Sequence, residues 1–133
     1  MIKDFCEWLE DNTSFTVGSD LFAGFWNQDT PEQAVLVRES GGTEKPHSKI
    51  RRMQTFQVLT RALDYHDSRT DLYTIYDLFK ASKRGELTLL TIVSGETWII
   101  ESISALAPPQ YIGEDEKRRH VLSTNYTAHA KVT

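Results

Sequence analysis

Hydrophobic residues near the start of the chain recur with the spacing of an amphipathic helix. Ile2, Phe5, Cys6 and Leu9 stand at i, i+3, i+4 and i+7, so a helix would place them on one face. The remaining positions of this segment are largely acidic. The pattern predicts a helix over residues 2–11 that packs its apolar stripe into the core, and core packing is the expected role of Cys6.

Alternating and β-branched segments predict most of the remaining chain as strands. Glycines at 18 and 24 indicate a bend or bulge in the first of them. In the longest, Phe56, Val58 and Thr60 fall on one face of the strand. The segments predicted as strands are 16–26, 33–39, 53–65, 87–106 as a hairpin that turns at 94–96, and 120–132.

Two segments lack this alternation. Residues 40–52 contain two glycines and a proline without periodicity, which predicts a long, exposed and flexible loop. Residues 108–119, "PPQYIGEDEKRR", begin with two prolines and carry charge of both signs. They are predicted as a break between strands.

A second helix is predicted to follow the strand at 53–65. Ser68 is the expected N-cap, with Asp71 three residues later as in a capping box. The apolar stripe consists of Leu72, Ile75, Tyr76 and Phe79. Bases that suit the end of a helix dipole follow at Lys80, Lys83 and Arg84. Gly85 is placed to end the helix.

The order of these elements predicts an α+β fold, with two helices packed on one face of a mostly antiparallel sheet. A chain of 133 residues fits a single domain over 1–133. No apolar run approaches the length of a membrane span, and the N-terminus is acidic where a signal peptide needs an apolar stretch. One cysteine cannot form an internal disulfide. A soluble protein made in the cytosol is expected.

The net charge of −4 argues against a dedicated nucleic-acid binder. The charge is uneven: residues 1–44 carry nine acids and two bases, and residues 45–133 carry ten acids and thirteen bases. Complementary parts of this kind favour head-to-tail contacts between copies of one chain.

Residue types that carry chemistry are present without a convincing arrangement. His120 and His129 stand nine apart in one predicted strand, so a regular pleat sends them to opposite faces. Asp64, His66 and Asp67 could hold a weakly bound ion at a strand end, but a strand end that leads into a helix N-cap is the favoured interpretation. No glycine-rich phosphate loop opens a helix. Neither a catalytic or metal-binding residue nor a cofactor is predicted.

Two features instead suggest surfaces that contact proteins. Basic residues crowd the end of the predicted loop at Lys45, His47, Lys49, Arg51 and Arg52. They could meet phosphates, but the acidic remainder of the chain favours a protein contact or a solvated loop. Tyr111 lies in the polar, proline-led break, where an aromatic residue is a candidate interface anchor, with local packing as the alternative.

Several segments in order resemble the tail terminator proteins, also called minor capsid or tail completion proteins, of long-tailed bacteriophages. The segments are "RRMQTFQVLTRALDY", a helix with "IYDLF", and "ISALAPPQYIGEDEKRRHVLSTNYTA". The positions that match the family pattern are Thr55 to Ala62, Pro108 to Tyr111, Gly113, Asp115, Glu116, Arg118 or Arg119, and Asn125–Tyr126. Lys117 stands where the family often has a small residue.

The resemblance implies a structural virion protein without catalysis. Such proteins form a ring, expected to be hexameric, that caps the tail tube, ends its growth and offers a face to the head–tail connector protein. It implies assembly in the host cytoplasm, a place at the head-proximal end of the tail, no membrane partner, and no nucleic-acid contact apart from DNA passing through the ring. The candidate interface residues are Lys45, His47, Lys49, Arg51, Arg52, Tyr111, Asp115, Glu116, Arg118 and Arg119.

Two other functions remain open at this point. A head-completion protein, another ring in the phage neck, would have the same kind of fold between portal and tail. A small α+β enzyme that uses Asp64, His66 and Asp67 on a metal ion belongs to a different class.

Overall fold

The computed structural model describes residues 2–26, 30–44, 51–79, 89–93 and 96–132. These residues form two helices and seven strands. The elements are α1 (Ile2–Asn12), β1 (Leu21–Ala23), β2 (Ala34–Glu44), β3 (Arg51–Ala62), α2 (Tyr65–Leu78), β4 (Leu89–Val93), β5 (Glu96–Ala105), β6 (Gln110–Glu114) and β7 (His120–Val132). Within these ranges, neither helix is long and apolar enough to cross a membrane.

One sheet contains all seven strands, in the order β1-β2-β3-β7-β5-β4, with β6 also paired to β7. Of these strand pairs, only β1–β2 is parallel. β6 continues the line of β5 along β7, because Ala105 lies opposite Tyr126 and Gln110 opposite Ser123. The four residues between them bulge out of the ladder. The predicted α+β class with a mostly antiparallel sheet is confirmed.

Both helices pack on one face of the sheet, as predicted. The ring of Phe5 in α1 stacks on Phe56 of β3, with centroids 5.1 Å apart, and lies 6.0 Å from Phe79 at the end of α2. Phe79 in turn contacts Tyr126 of β7 at 5.0 Å. α1 contacts β1 and β2 at one edge of the sheet and β4 at the other, so the sheet curves around the helix layer.

The connection between β1 and β2, called the crossover below, covers part of the opposite, outer face of the sheet with its described residues 24–26 and 30–33. Because β1 and β2 are parallel, the connection between them must return to the end of the sheet where β1 began. Trp26 in this crossover lies over the guanidinium of Arg61, 4.2 Å from its ring centroid. Leu36 and Leu59 on this outer face are buried as well, so the sheet has apolar packing on both sides here.

The second helix begins one turn earlier than predicted. Its N-cap is Asp64, whose carboxylate accepts a 2.7 Å hydrogen bond from the amide of His66. Aspartate is as good an N-cap as serine, and β3 ends just before it. Ser68 is buried within the helix, where its carbonyl accepts a hydrogen bond from the Thr60 hydroxyl at 2.8 Å. The predicted end of the helix, from Lys80 to Gly85, lies outside the described residues.

Several strand boundaries differ from the prediction. The strand predicted over 53–65 ends at Ala62. Residues 40–44 and 51–52, predicted as parts of a loop, belong to β2 and β3. Residues 41–44 pair with β3, and Ser40 lies at a register shift in this ladder. Residues 45–50 lie outside the described part. Residues 110–114, predicted within a break, form β6. The segment 16–26 has only three strand residues. Backbone pairing with a neighbouring strand decides these cases, and it tolerates glycine and polar residues at bulges and edges.

Candidate functional site

The predicted interface residues fall at two places in the fold. Five of them lie in the hairpin formed by β6, β7 and their connecting turn: Tyr111, Asp115, Glu116, Arg118 and Arg119. Arg51 and Arg52 begin β3, paired with Lys131 and Ala130 near the far end of β7. The other three, Lys45, His47 and Lys49, lie outside the described residues. β7 has 13 residues, so its two ends lie about 35–40 Å apart. The two groups of residues therefore form separate surfaces.

Asp115 organises the turn between β6 and β7. Its Oδ1 accepts hydrogen bonds from the amides of Lys117 and Arg119, both at 2.9 Å, and its Oδ2 accepts one from Arg119 Nε at 2.7 Å. Arg118 takes a left-handed backbone conformation with φ of 60°. Partial burial raises the pKa of Asp115, but the hydrogen bonds from Arg119 and Lys117 and the charge of Arg119 outweigh it. The pKa therefore lies below its usual value.

We expect Asp115→Asn to lower the free energy of unfolding by about 1 kcal/mol at pH 7, since it removes the charge that Arg119 faces. A carboxyl group whose pKa is lowered on folding stabilises the folded state at pH values above its unfolded pKa of about 3.9. This stabilisation is lost as the pH falls through the pKa of the folded state. The difference between wild type and variant should therefore disappear near pH 2. Urea unfolding at both pH values measures it, with Glu116→Gln, an exposed neighbour, as control. An equal difference at both pH values would contradict this account.

Arg119 connects the turn to the crossover on the outer face. Its guanidinium lies 3.7 Å from the carboxylate of Glu32. Next to it, Arg61 is only 4% exposed and donates hydrogen bonds from Nη2 to the carbonyl oxygens of Thr30 and Pro31, at 3.1 and 2.9 Å. Burial, followed by repulsion from Arg119, lowers the pKa of Arg61. The crossover is thus fixed to the sheet by one buried guanidinium.

Sequence reasoning missed the role of Arg61 and its stacking on Trp26. A signal was available, because Arg61 is the one charged residue between Thr55 and Ala62 in an otherwise apolar and polar-neutral strand. A charge in such a strand is expected to be paired or to face a covering segment. Which segment covers it depends on the crossover, which local patterns do not specify.

An exposed aromatic cluster lies beside the turn. The hydroxyl of Tyr111 is 2.9 Å from His120 Nδ1. The ring of Tyr65 forms T-shaped contacts with the rings of Tyr111 and His120, with centroid distances of 5.4 and 6.0 Å. Tyr111 is 47% exposed and the next residue, Ile112, is 58% exposed. Exposed aromatic and aliphatic side chains held rigidly on a sheet are typical of protein contact sites.

The candidates for catalysis have structural roles in the described part of the chain. Asp64 caps α2, and His66 packs its ring 5.6 Å from Tyr65. Cys6 is 1% exposed, and burial, more than its neighbour Glu7, raises the pKa of its thiol to about 12, so it stays protonated at neutral pH. Across the described ranges, no group of three or more His, Cys, Asp or Glu residues could hold a metal ion.

An open cavity of about 360 Å³ lies between residues 13–20, which connect α1 to β1, the crossover and α2. It is lined by Ser14, Phe15, Asp20, Gln33 and Asp71. The Gln33 amide donates a 3.0 Å hydrogen bond to Asp71. Burial raises the pKa of Asp71 against the effect of this bond, and the charges of Asp20 and Asp67 raise it further. The cavity therefore places two carboxylates near each other at some cost to stability.

Comparisons with known proteins give a family and a fold. The family model described as bacteriophage tail terminator protein matches residues 8–132. A search of the curated proteins finds no match. Among the solved structures, one chain aligns with a TM-score of 0.51 and 13% identity, over 98% of this chain and 89% of that one. At that identity, the likeness concerns the fold alone.

Proposed function

Since the chain belongs to the bacteriophage tail terminator family, and is thereby a structural component of the phage tail, we propose that its copies form a ring that caps the tail tube. The ring has six copies. It ends the addition of tube subunits at the head-proximal end of the tail and presents its other face to the head–tail connector protein. The protein has no catalytic part in this process.

The observation that carries the proposal is the division of candidate interface residues between the two ends of one long sheet. A ring between tube and connector makes two axial contacts, one on each face. The β6–β7 turn, with Asp115 and Arg119, lies at one end of β7, and Arg51 and Arg52 of β3 lie near the other. Both groups bear charges, which favour recognition and register between partners.

The rigidity of the turn supports this role. Asp115 holds three hydrogen bonds within it, and Glu32 ties Arg119 to the crossover. A preformed surface loses little conformational entropy when it meets a partner. Glu116 and Arg118 in the same turn are exposed and available to a partner surface.

The proposal predicts that phage assembled without this protein makes tails much longer than normal that carry no heads. The physical reason is that nothing then blocks the end of the tube or supplies the surface for the connector. Electron microscopy of tails from a deletion strain gives the length distribution, and expression of the wild-type chain from a plasmid should restore it. Tails of normal length that merely lack heads would favour a head-completion protein instead. Normal tails joined to heads would contradict both.

A further inference from the structure

A ring of identical copies needs two different surfaces on each copy, one to meet the neighbour on either side. The choice of these surfaces rests on the proposed function, since only a ring requires both of them. Large apolar side chains that are exposed in the described residues are the first candidates, since water contact disfavours them. They are Val17, Phe25, Leu63, Tyr65, Leu106, Tyr111 and Ile112.

Phe25 is the most exposed of these, at 85%, and it lies at one edge of the sheet. The amide of the preceding residue, Gly24, donates a 2.8 Å hydrogen bond to the carbonyl of Val37 in β2. Gly24 has a φ of 96°, in the left-handed region that glycine adopts readily. This turn fixes the start of the crossover beside β2 and leaves Phe25 projecting at the β1–β2 edge.

Tyr111 and Ile112 lie at the opposite edge. They belong to β6, which pairs with β7 on one side and, among the described residues, has no strand on its other side. The pairing of β6 with β7 shifts between Tyr111 and Gly113, so Ile112 lies in a bulge, where the strand bends. Both side chains are exposed at this open edge. The ring of Tyr111 is held by Tyr65 and His120 and forms a firm wall for an incoming side chain.

The two edges are at nearly the same level along the strands. Val37, which bonds Gly24 beside Phe25, lies opposite Val58 of β3. Val58 in turn lies opposite Thr124 of β7. Tyr111 lies opposite Leu122, only two residues further along β7. In a flat ring the two contact surfaces of a copy must have equal height along the ring axis, and this pair meets that requirement when the strands run roughly along the axis.

We propose that Phe25 of one copy packs against Tyr111 and Ile112 at the β6 edge of the next copy. Both sites are apolar and lie at opposite edges of one sheet. The exposure of Phe25 shows that the described residues of its own subunit leave it uncovered. Repeating this heterologous contact closes a ring without rise from copy to copy. The charged ends of the sheet are thereby left free for the tube and the connector.

Charge substitution tests the contact on the full-length protein. Phe25→Lys and Ile112→Glu each place a charge into the apolar contact, and each should raise the concentration at which half of the protein is in rings by at least about tenfold. The chain that carries both substitutions should recover ring formation, because the introduced ammonium group of one copy would then face the introduced carboxylate of the next. Size-exclusion chromatography with light scattering measures the assemblies. Leu63→Lys and Leu63→Glu, at an exposed apolar site between the two edges, are the matched controls.

A covalent test does not depend on the strength of the contact. In the variant Phe25→Cys/Ile112→Cys, oxidation should link neighbours into a ladder that ends at the closed ring, whereas either single cysteine variant should give no ladder. Cys6 is buried and protonated, so it does not compete.

The outcomes separate this inference from the proposed function. Wild-type protein that forms no ring, either alone or on isolated tails, would overturn the proposed function and this contact together. Wild-type rings that persist unchanged in Phe25→Lys and Ile112→Glu would overturn only the contact. Intact Ile112→Glu rings that no longer bind tails would also overturn it, since the β6 edge would then face the tube.

Discussion

Replacing Phe5 with alanine is expected to lower the free energy of unfolding by about 4 kcal/mol, which would leave a domain of this size barely stable. The side chain is completely buried and stacks on Phe56 at 5.1 Å. It also contacts Phe79 and lies 6.4 Å from Trp8. Its loss opens a cavity between both helices and the centre of the sheet, so the cost includes lost packing as well as lost burial.

Urea unfolding followed by tryptophan fluorescence measures the effect, and the chain supplies a matched control. Phe25→Ala removes the same group from a site that is 85% exposed, so it should change the free energy of unfolding by less than about 0.5 kcal/mol in the monomer. A loss below about 1 kcal/mol for Phe5→Ala would mean that α1 does not pack into the core as described.

Local periodicity predicts the part of the fold that depends on one face of one element. The stripe of Phe5, Cys6 and Leu9 is buried as its spacing predicts. The faces of the two central strands follow the same logic, with Phe56 and Tyr126 turned toward the helices. In each case the signal comes from apolar residues that recur on one face of the element.

The strand boundaries were less predictable because they depend on partners far along the chain. Residues 40–44 include two glycines, and nothing local favours a strand there, yet β3 pairs with them across a hairpin. β6 is a strand because β7 continues past the end of β5 and leaves an edge to be paired. Pairing of this kind follows from topology, which a local pattern does not contain.

In the candidate site, too, some features follow from local sequence and others depend on the topology of the fold. Sequence reasoning drew attention to Tyr111 and to the charges around Asp115, because a polar, proline-led segment with an aromatic residue is locally unusual. It did not identify Phe25 as a contact residue or Arg61 as a structural one. Their roles follow from the crossover, which carries the chain over the outer face of the sheet and brings Trp26 onto Arg61.

The crossover therefore links stability to assembly, and Arg61→Ala should expose that link. Removing the guanidinium removes the hydrogen bonds that Arg61 donates to the carbonyls of Thr30 and Pro31, and the group on which Trp26 stacks. We expect the free energy of unfolding to fall by about 3 kcal/mol, because two hydrogen bonds of a buried side chain and the stacking on Trp26 are lost together. Arg61→Lys should recover only part of it, because an ammonium group cannot reproduce the planar stacking and paired donors.

The same variant should impair ring formation even where it remains folded, because the segment that presents Phe25 is no longer fixed to the sheet. Measured below its unfolding temperature, folded Arg61→Ala should need a higher concentration than wild type to form rings. Arg38→Ala is the control: Arg38 is exposed on the outer face of β2 and bonds Gln57 at 2.6 Å, so its loss should leave both stability and assembly nearly unchanged. If the two alanine variants behaved alike, Arg61 would not anchor the crossover. If Arg61→Ala lost stability but formed rings normally, the crossover would not position the contact between copies.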